Sequence, residues 1–245
     1  RSSDVHMMDI TAYFTAISNM TTEDSFTLRD VFRGERLSSL LTALTLLAGA
    51  YVIEHFANAY AFEYSLRSTS NHVGDLILDN LQVIDLNFII IEGALTTIVL
   101  GTLFVVFFKP RYLIFTLKAI ALFTAIRALF ISLTHVGIYP DHIVPGHGLL
   151  DSIYMYLNFE TGLFFSGHTG LPFLMALIFW QIPKVRYLFL AVSCVGGIAV
   201  LLAHVHYSID VFAAPFMAYS IYRIARYLFP HDHALIESES SRISV

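Results

Sequence analysis

Charge is scarce in this chain. Of 245 residues only 13% are Asp, Glu, Lys or Arg, and the balance is net -5 at pH 7, whereas soluble domains carry about twice that share of charge. So thin and slightly acidic a supply excludes a nucleic-acid-binding surface, which needs clustered Lys and Arg. It also excludes a disordered chain and a coiled coil, both rich in charge. Cysteine is scarcer still: Cys194 stands alone in an apolar run, so neither a disulfide framework nor a thiolate metal cluster is available. What abounds is apolar. Hydrophobic residues make up 56% of the chain and the mean hydropathy is +0.68, above the roughly 45–50% apolar content of soluble domains. These figures describe an integral membrane protein, a single domain by length.

A membrane-spanning helix needs about 20 mostly apolar residues. Six runs meet that need: 37–57, 88–108, 111–137, 165–182, 186–205 and 207–228. The expected fold class is all-α, a polytopic bundle of six transmembrane helices. The third run is long enough to tilt or to protrude, and a tight turn at Ile182-Pro183-Lys184 joins the fourth to the fifth. Residues 1–36 read as an N-terminal cytoplasmic segment, 37–228 as the membrane domain and 229–245 as a polar, mobile tail. Arg1 to His6 read as an added leader ahead of a native start at Met7 or Met8. Ile10, Tyr13, Phe14, Ile17 and Met20 fall at helical spacing, which suits a short helix lying on the cytoplasmic face or packed on the bundle.

The distribution of Lys and Arg in short loops sets orientation. Arg29, Arg33 and Arg36 precede the first run, Lys109 and Arg111 separate the second and third, Lys184 and Arg186 the fourth and fifth, and Arg223 and Arg226 close the sixth. Residues 58–87 and 138–164 hold only Arg67 against Glu63, Asp75, Asp79, Asp85, Asp141, Asp151 and Glu160. Both termini are therefore expected in the cytoplasm, with the acidic loops outside or in a lumen.

That orientation assigns a depth to each ionisable residue within the spans, where such residues are costly and by default functional. Arg127 lies sixteen residues beyond Arg111, about 24 Å along an outward-running helix. Glu92 opens the second run from the exterior side, His168 the fourth and His206 the sixth, while His204 ends the fifth and Glu54 and His55 the first. Snorkelling residues would populate both interfaces; these gather at one.

Two local patterns there carry chemistry. In Ser166-Gly167-His168-Thr169, Ser166 can cap a helix and Gly167 lets an anion approach the free N–H groups of its first turn. In His206-Tyr207-Ser208-Ile209-Asp210, a spacing of four puts His206 and Asp210 on one helical face. The carboxylate can then hold one ring nitrogen protonated and leave the other as nucleophile or base. The set fits attack on a phosphate ester: His206 on phosphorus, His168 protonating the leaving oxygen, Arg127 on the non-bridging oxygens. Tyr207 is a phosphate donor or part of the aromatic belt. Glu92 assists proton transfer or pairs with Arg127, and His204 supports the phosphate site. His135, His142 and His147 read as solvated loop residues, and Glu54 with His55 as an interfacial pair. Gly196-Gly197 suits close helix approach, and Pro172 and Pro215 suit kinks.

Ser166-Gly167-His168-Thr169 together with Ala203-His204-Val205-His206-Tyr207-Ser208-Ile209-Asp210-Val211 resembles the sphingomyelin synthase family, a branch of the lipid phosphate phosphatase superfamily (the type 2 phosphatidic acid phosphatases). Members show S-G-H-T, then A-H-x-H-Y-[ST]-x-D-V, and six spans. Asp75-Leu76-Ile77-Leu78-Asp79 is similar to the segment before the family's second span, Glu92 falls on that span's early glutamate, and Arg127 to Thr134 resembles its Arg-led motif. The resemblance, over about residues 37–228, implies transfer of a phospho-head-group from a glycerophospholipid donor to a ceramide-like lipid alcohol acceptor, releasing diacylglycerol. It implies a phosphorylated histidine at His206 assisted by Asp210, acid–base work at His168, no metal or organic cofactor, and a site on the exoplasmic or luminal side of a plasma, inner or Golgi-type membrane.

The sequence departs from the family in places. Glu160-Thr161-Gly162 stands where members often have C-G-D, which leaves the head group open, and His135 to Pro140 alters the proline turn after the Arg motif. Val200 stands where the phosphatase branch has an arginine six residues before its second histidine, which favours a transferase. Two other readings stand beside it: a phosphatase or phospholipase C-type hydrolase on the same scaffold, and a zinc-binding or transport protein using His168, His204, His206 and Asp210.

Overall fold

The computed structural model describes residues 26–67, 72–134, 136–143 and 164–243. The expected N-terminal helix and His135, His147, Asp151 and Glu160 to Gly162 lie outside them. All regular structure among the described residues is helical: α1 (Leu28–Val31), α2 (Gly34–Arg67), a π-helical turn (Ile89–Gly93) continuous with α3 (Ala94–Phe108), α4 (Leu113–Leu133), α5 (Gly167–Ile178), α6 (Pro183–Leu202), α7 (Ser208–Leu228) and α8 (Pro230–Ile243), with short 3-10 turns at Leu78–Asn80 and Pro110–Tyr112.

Four helical stretches are long and apolar enough to cross a membrane: Gly34–Tyr64, Ile89–Phe108, Pro110–Leu133 and Pro183–Leu202. The run expected at 165–182 forms the shorter α5, whose 12 residues span about 18 Å. The run at 207–228 is helical as α7 but carries Asp210, Arg223 and Arg226 and is not among the four. The run at 111–137 ends sooner than expected. Thr134 turns extended (φ -121°, ψ 107°) and its hydroxyl donates back to the Phe130 carbonyl, which terminates α4 at Leu133.

Helix α2 packs along α4, and α5 lies between α6 and α7. The main core joins α4 to α7. Phe123 meets Phe165 edge-on at 5.2 Å, and Phe179 is stacked between Tyr112 (4.7 Å) and Phe189 (6.1 Å). Ala214, Ala218, Ile221 and Ala225 form one buried face of α7, the small-residue seam by which helices approach without a hydrophobic drive from water. The closest approach falls between α5 and α6. Pro172 has no N–H for the carbonyl of His168, four residues back. That carbonyl faces Gly196, where a Cβ would stand 2.8 Å from it, and a Cβ on Gly197 would meet Thr169 Oγ1 at 3.0 Å. Ser193 Oγ donates to the Thr169 carbonyl at 2.7 Å. The start of α5, and His168 with it, is thus set against α6 at backbone distance.

The segment from His231, expected as a mobile tail, is instead helix α8 docked on the opposite end of the bundle. Asp232 and His233 are buried, and Ile236 joins the core. Lys118 Nζ of α4 donates to Asp232 Oδ2 at 2.6 Å and to Ser39 Oγ of α2 at 2.7 Å, while Ser39 Oγ reaches Asp232 Oδ1 at 2.9 Å. A lysine within an apolar helix needs such a partner, because an unpaired buried charge is costly.

Candidate active site

The last turns of α4, the start of α5 and the start of α7 meet at one end of the bundle. At its centre the His206 and His168 rings stand 6.2 Å apart between centroids. His206 is buried in the bend between α6 and α7, where Val205 N–H donates to the Val200 carbonyl. Its Nδ1 lies 3.4 Å from Asp210 Oδ2, and the same oxygen accepts the Tyr207 N–H at 3.0 Å. Asp210, itself buried, therefore ties the histidine to the first turn of α7, and the i, i+4 geometry leaves Nε2 as the other ring nitrogen. At 3.4 Å the contact is long for a hydrogen bond. Ser166 N–H donates to the Asp210 carbonyl at 3.1 Å, which joins the two motifs directly through the backbone.

His168 sits in the first turn of α5, and its ring hydrogen-bonds the backbone of Ile90. Ile90 belongs to the π-helical turn, whose widened pitch disrupts the regular i→i-4 pattern; such turns recur at functional sites. A ring nitrogen held on a carbonyl must carry its proton there, which leaves the other nitrogen to exchange protons. Glu92 stands half-buried on the same turn.

Arg127, on α4, is pinned from two sides: Nε donates to the Phe165 carbonyl at 3.0 Å, and Nη1 to Glu54 of α2. The carboxylate against Arg127 is therefore Glu54 rather than Glu92, and the expected Glu54–His55 interfacial pair is not formed. Glu54 turns inward and is buried, while His55 faces out with its ring edge-on to Phe56. Sequence reasoning missed Glu54 as a site residue, although its depth in the first span was a signal. Gly167 lies beside the guanidinium: a Cβ there would come within 3.9 Å of Arg127 Nε.

Ser166 occupies the N-cap of α5 but makes no side-chain cap bond, contrary to expectation; its Oγ is buried and unpartnered among the described residues. The Tyr207 hydroxyl, expected as a phosphate donor or part of the aromatic belt, is engaged with backbone groups. It donates to the Gly137 carbonyl at 2.8 Å and accepts the Val73 N–H at 3.2 Å, so it fastens two connecting segments. His204 is buried with both ring nitrogens unpartnered among the described residues and adopts φ 56°. Its ring meets Tyr139 edge-on at 5.1 Å. Tyr139 donates to Asp79 at 2.5 Å, a bond that, with burial, pushes its phenol up to about 12.

A cavity of about 470 Å³ opens beside α7, lined by Asp75, Tyr207, Ser208, Asp210, Thr134 and Phe164 among others. Asp75 is a second residue whose place the sequence did not reveal: its Oδ2 accepts the Ser208 N–H at 2.7 Å, across 133 residues of chain. Among the described residues no three His, Cys, Asp or Glu side chains are arranged to hold one metal ion, so the alternative grouping of His168, His204, His206 and Asp210 around zinc finds no counterpart.

Residues 161–227 match the family model described as PAP2 superfamily C-terminal. The matched stretch runs from before α5 to the last turn of α7 and includes both histidines and Asp210. It supports a membrane scaffold of the lipid phosphatase or phosphotransferase type, that of the phosphatidic acid phosphatase superfamily. No curated protein matches the chain.

Proposed function

We propose that the protein is a membrane phosphotransferase that moves a phospho-head-group from a glycerophospholipid to a ceramide-like lipid alcohol. The observation that carries this reading is the opposed pair of histidines, 6.2 Å apart, one backed by Asp210 and the other by a backbone group of the π-turn. A phosphorus atom placed between the rings is in reach of a nucleophile on one side and a proton donor on the other. In the first half-reaction His206 Nε2 forms a bond to phosphorus as the P–O bond to diacylglycerol breaks, and His168 gives the leaving oxygen its proton. In the second, His168 takes the proton of the acceptor hydroxyl, whose oxygen attacks phosphorus and releases His206. Asp210 stabilises the positive charge His206 carries while phosphorylated, and Arg127 holds the non-bridging oxygens.

In this reading α5 and α7 are the fourth and sixth of six spans, both termini are cytoplasmic and the site opens to the exoplasmic or luminal leaflet. Support comes from the loop charges and from the site residues lying at one end of the bundle, with the Arg- and Lys-bearing turns at Lys109 to Arg111 and Lys184 to Arg186 at the other. The sphingomyelin synthase branch rests on the motif resemblance, with Val200 in place of the phosphatase arginine. The test is product analysis from purified protein in mixed micelles given labelled phospholipid with and without ceramide. A new phosphosphingolipid with diacylglycerol is expected. Diacylglycerol with free phospho-head-group, unchanged by ceramide, would mean that water resolves the intermediate and the protein is a hydrolase.

A further inference from the structure

Nothing in the two-histidine chemistry requires Asp75, yet its carboxylate is among the most heavily hydrogen-bonded groups in the described structure. It is buried. One oxygen accepts the N–H groups of Ile77 (2.9 Å) and Leu78 (3.2 Å), which fold the 3-10 turn Leu78–Asn80 back on it. The other accepts the Ser208 N–H at 2.7 Å. Burial pushes the carboxyl up, but the N–H groups of Ser208, Leu78 and Ile77 together with the Ser208 hydroxyl outweigh it and hold Asp75 below the ordinary carboxylate range.

The bond to Ser208 is the unusual one. Ser208 is the first residue of α7, and the N–H groups of a helix's first turn have no partner within the helix. In most helices a neighbouring side chain caps them. Here the residue before the helix is Tyr207, whose hydroxyl is engaged elsewhere, and Asp210 turns back to the Tyr207 N–H and to His206. A carboxylate from a distant segment supplies the missing acceptor and a favourable negative charge at the positive end of the helix. The turn it secures is the one that places His206 and Asp210. Around it, Leu78 and Tyr207 share a buried cluster with Val136 and Tyr139, so the segment that carries Asp75 is itself held firmly.

We propose that Asp75 is a positioning residue: it braces the first turn of α7 from outside and thereby keeps His206 and Asp210 aligned with His168. Asp75 touches neither histidine and takes no part in proton transfer. Its role rests on the reading of His206 as nucleophile.

The test uses the full chain in detergent micelles. Ser208→Pro removes both the N–H and the hydroxyl that Asp75 accepts while keeping a helix start, since proline is favoured at the first helical position. Tyr207, at φ -67° and ψ 156°, already has the extended conformation that a residue before proline requires. Asp75→Ala and Ser208→Pro are each expected to lower kcat about tenfold or more, as small misplacements of reacting groups do, with KM within about twofold. The double variant should be no worse than Asp75→Ala alone, because Asp75→Ala already removes the contact that Ser208→Pro breaks. Asp75→Asn, which keeps one acceptor, should fall between Asp75→Ala and the parent, and it serves if Asp75→Ala does not fold. Independently of turnover, amide exchange should quicken at residues 206–210 in Asp75→Ala and stay unchanged at 216–228. Unchanged exchange at 206–210 overturns the brace, as does additive loss in the double variant or a wild-type kcat in Asp75→Ala. Absence of phospholipid turnover by the parent protein counts against the lipid-transfer reading alone, and the exchange result still decides the brace.

Discussion

In the proposed mechanism Arg127 handles the phosphate, and its placement depends on Glu54. The guanidinium lies largely out of contact with solvent, with Glu54 on one nitrogen and the Phe165 carbonyl on another. Removing one member of a buried pair costs about 3–5 kcal/mol, because the remaining charge loses its partner. Glu54→Ala is therefore expected to lower both the melting temperature and kcat/KM, the latter by about a hundredfold. Glu54→Gln, which retains an acceptor for Nη1, should retain most of the stability. A Glu54→Ala protein with unchanged kinetics would show that Arg127 holds its position without α2. His204 predicts in the other direction. Two buried nitrogens without a partner among the described residues carry a desolvation penalty of about 1–3 kcal/mol each, so His204→Phe is expected to raise the melting temperature if the ring serves packing alone, and to lower turnover if it contacts substrate.

The elements that frame the site are held by close approaches that tolerate little change. A methyl group on Gly196 would meet the His168 carbonyl at 2.8 Å, and backbone cannot move aside as a flexible side chain can. Gly196→Ala should push α6 from α5, cost about 1–3 kcal/mol as overpacking does, and reduce turnover through displacement of His168; thermal unfolding and kinetics of one preparation check both. At the opposite end α8 carries a titratable contact. His233 packs on Phe115 and Tyr222, with Glu237 at 3.3 Å and Arg226 nearby. Burial, with Arg226 adding to it, holds its imidazole below the usual range despite Glu237. The unfolded chain therefore binds more protons at this position than the folded one. The contribution of His233 to docking is complete above the ordinary imidazole value of about 6.5 and is lost as pH falls through the depressed one. Amide protection of residues 230–243 is expected to decline on acidification from pH about 7.5 to about 5.5, and His233→Phe should remove that dependence.

Over the whole molecule, four of the six expected spans and the His–x–x–x–Asp pair were legible because they are local. An apolar run and an i, i+4 spacing are written in consecutive residues, and the bilayer length and the helical pitch convert them to geometry. The pairing of Arg127 with Glu54 and of Asp75 with Ser208 joins residues far apart in the chain, and no periodicity encodes which carboxylate reaches which donor. The α8 segment was misread for a related reason. Its composition is polar, but Asp232, His233 and Ile236 share one face that meets Lys118 and the aromatic core. Helix α5 is shorter than the apolar run 165–182 that contains it, because Phe179 leaves the helical conformation at its C-cap (φ -93°, ψ 26°). The orientation has its own check. Single cysteines introduced at Lys184 and at Asp79, in a Cys194→Ala background, should react with an impermeant reagent from opposite sides of the membrane, Asp79 from the outside.

The central claim is that His206 carries the phosphoryl group, and trapping the phosphorylated enzyme tests it most directly. Purified protein is incubated with head-group-labelled phospholipid without an acceptor alcohol, quenched under alkaline conditions that preserve phosphohistidine, and digested for peptide mapping. The account predicts label on the peptide that contains His206, released when ceramide is added, and absent from His206→Ala. Label that persists in His206→Ala, or turnover that continues in that variant at the parent rate, would contradict it.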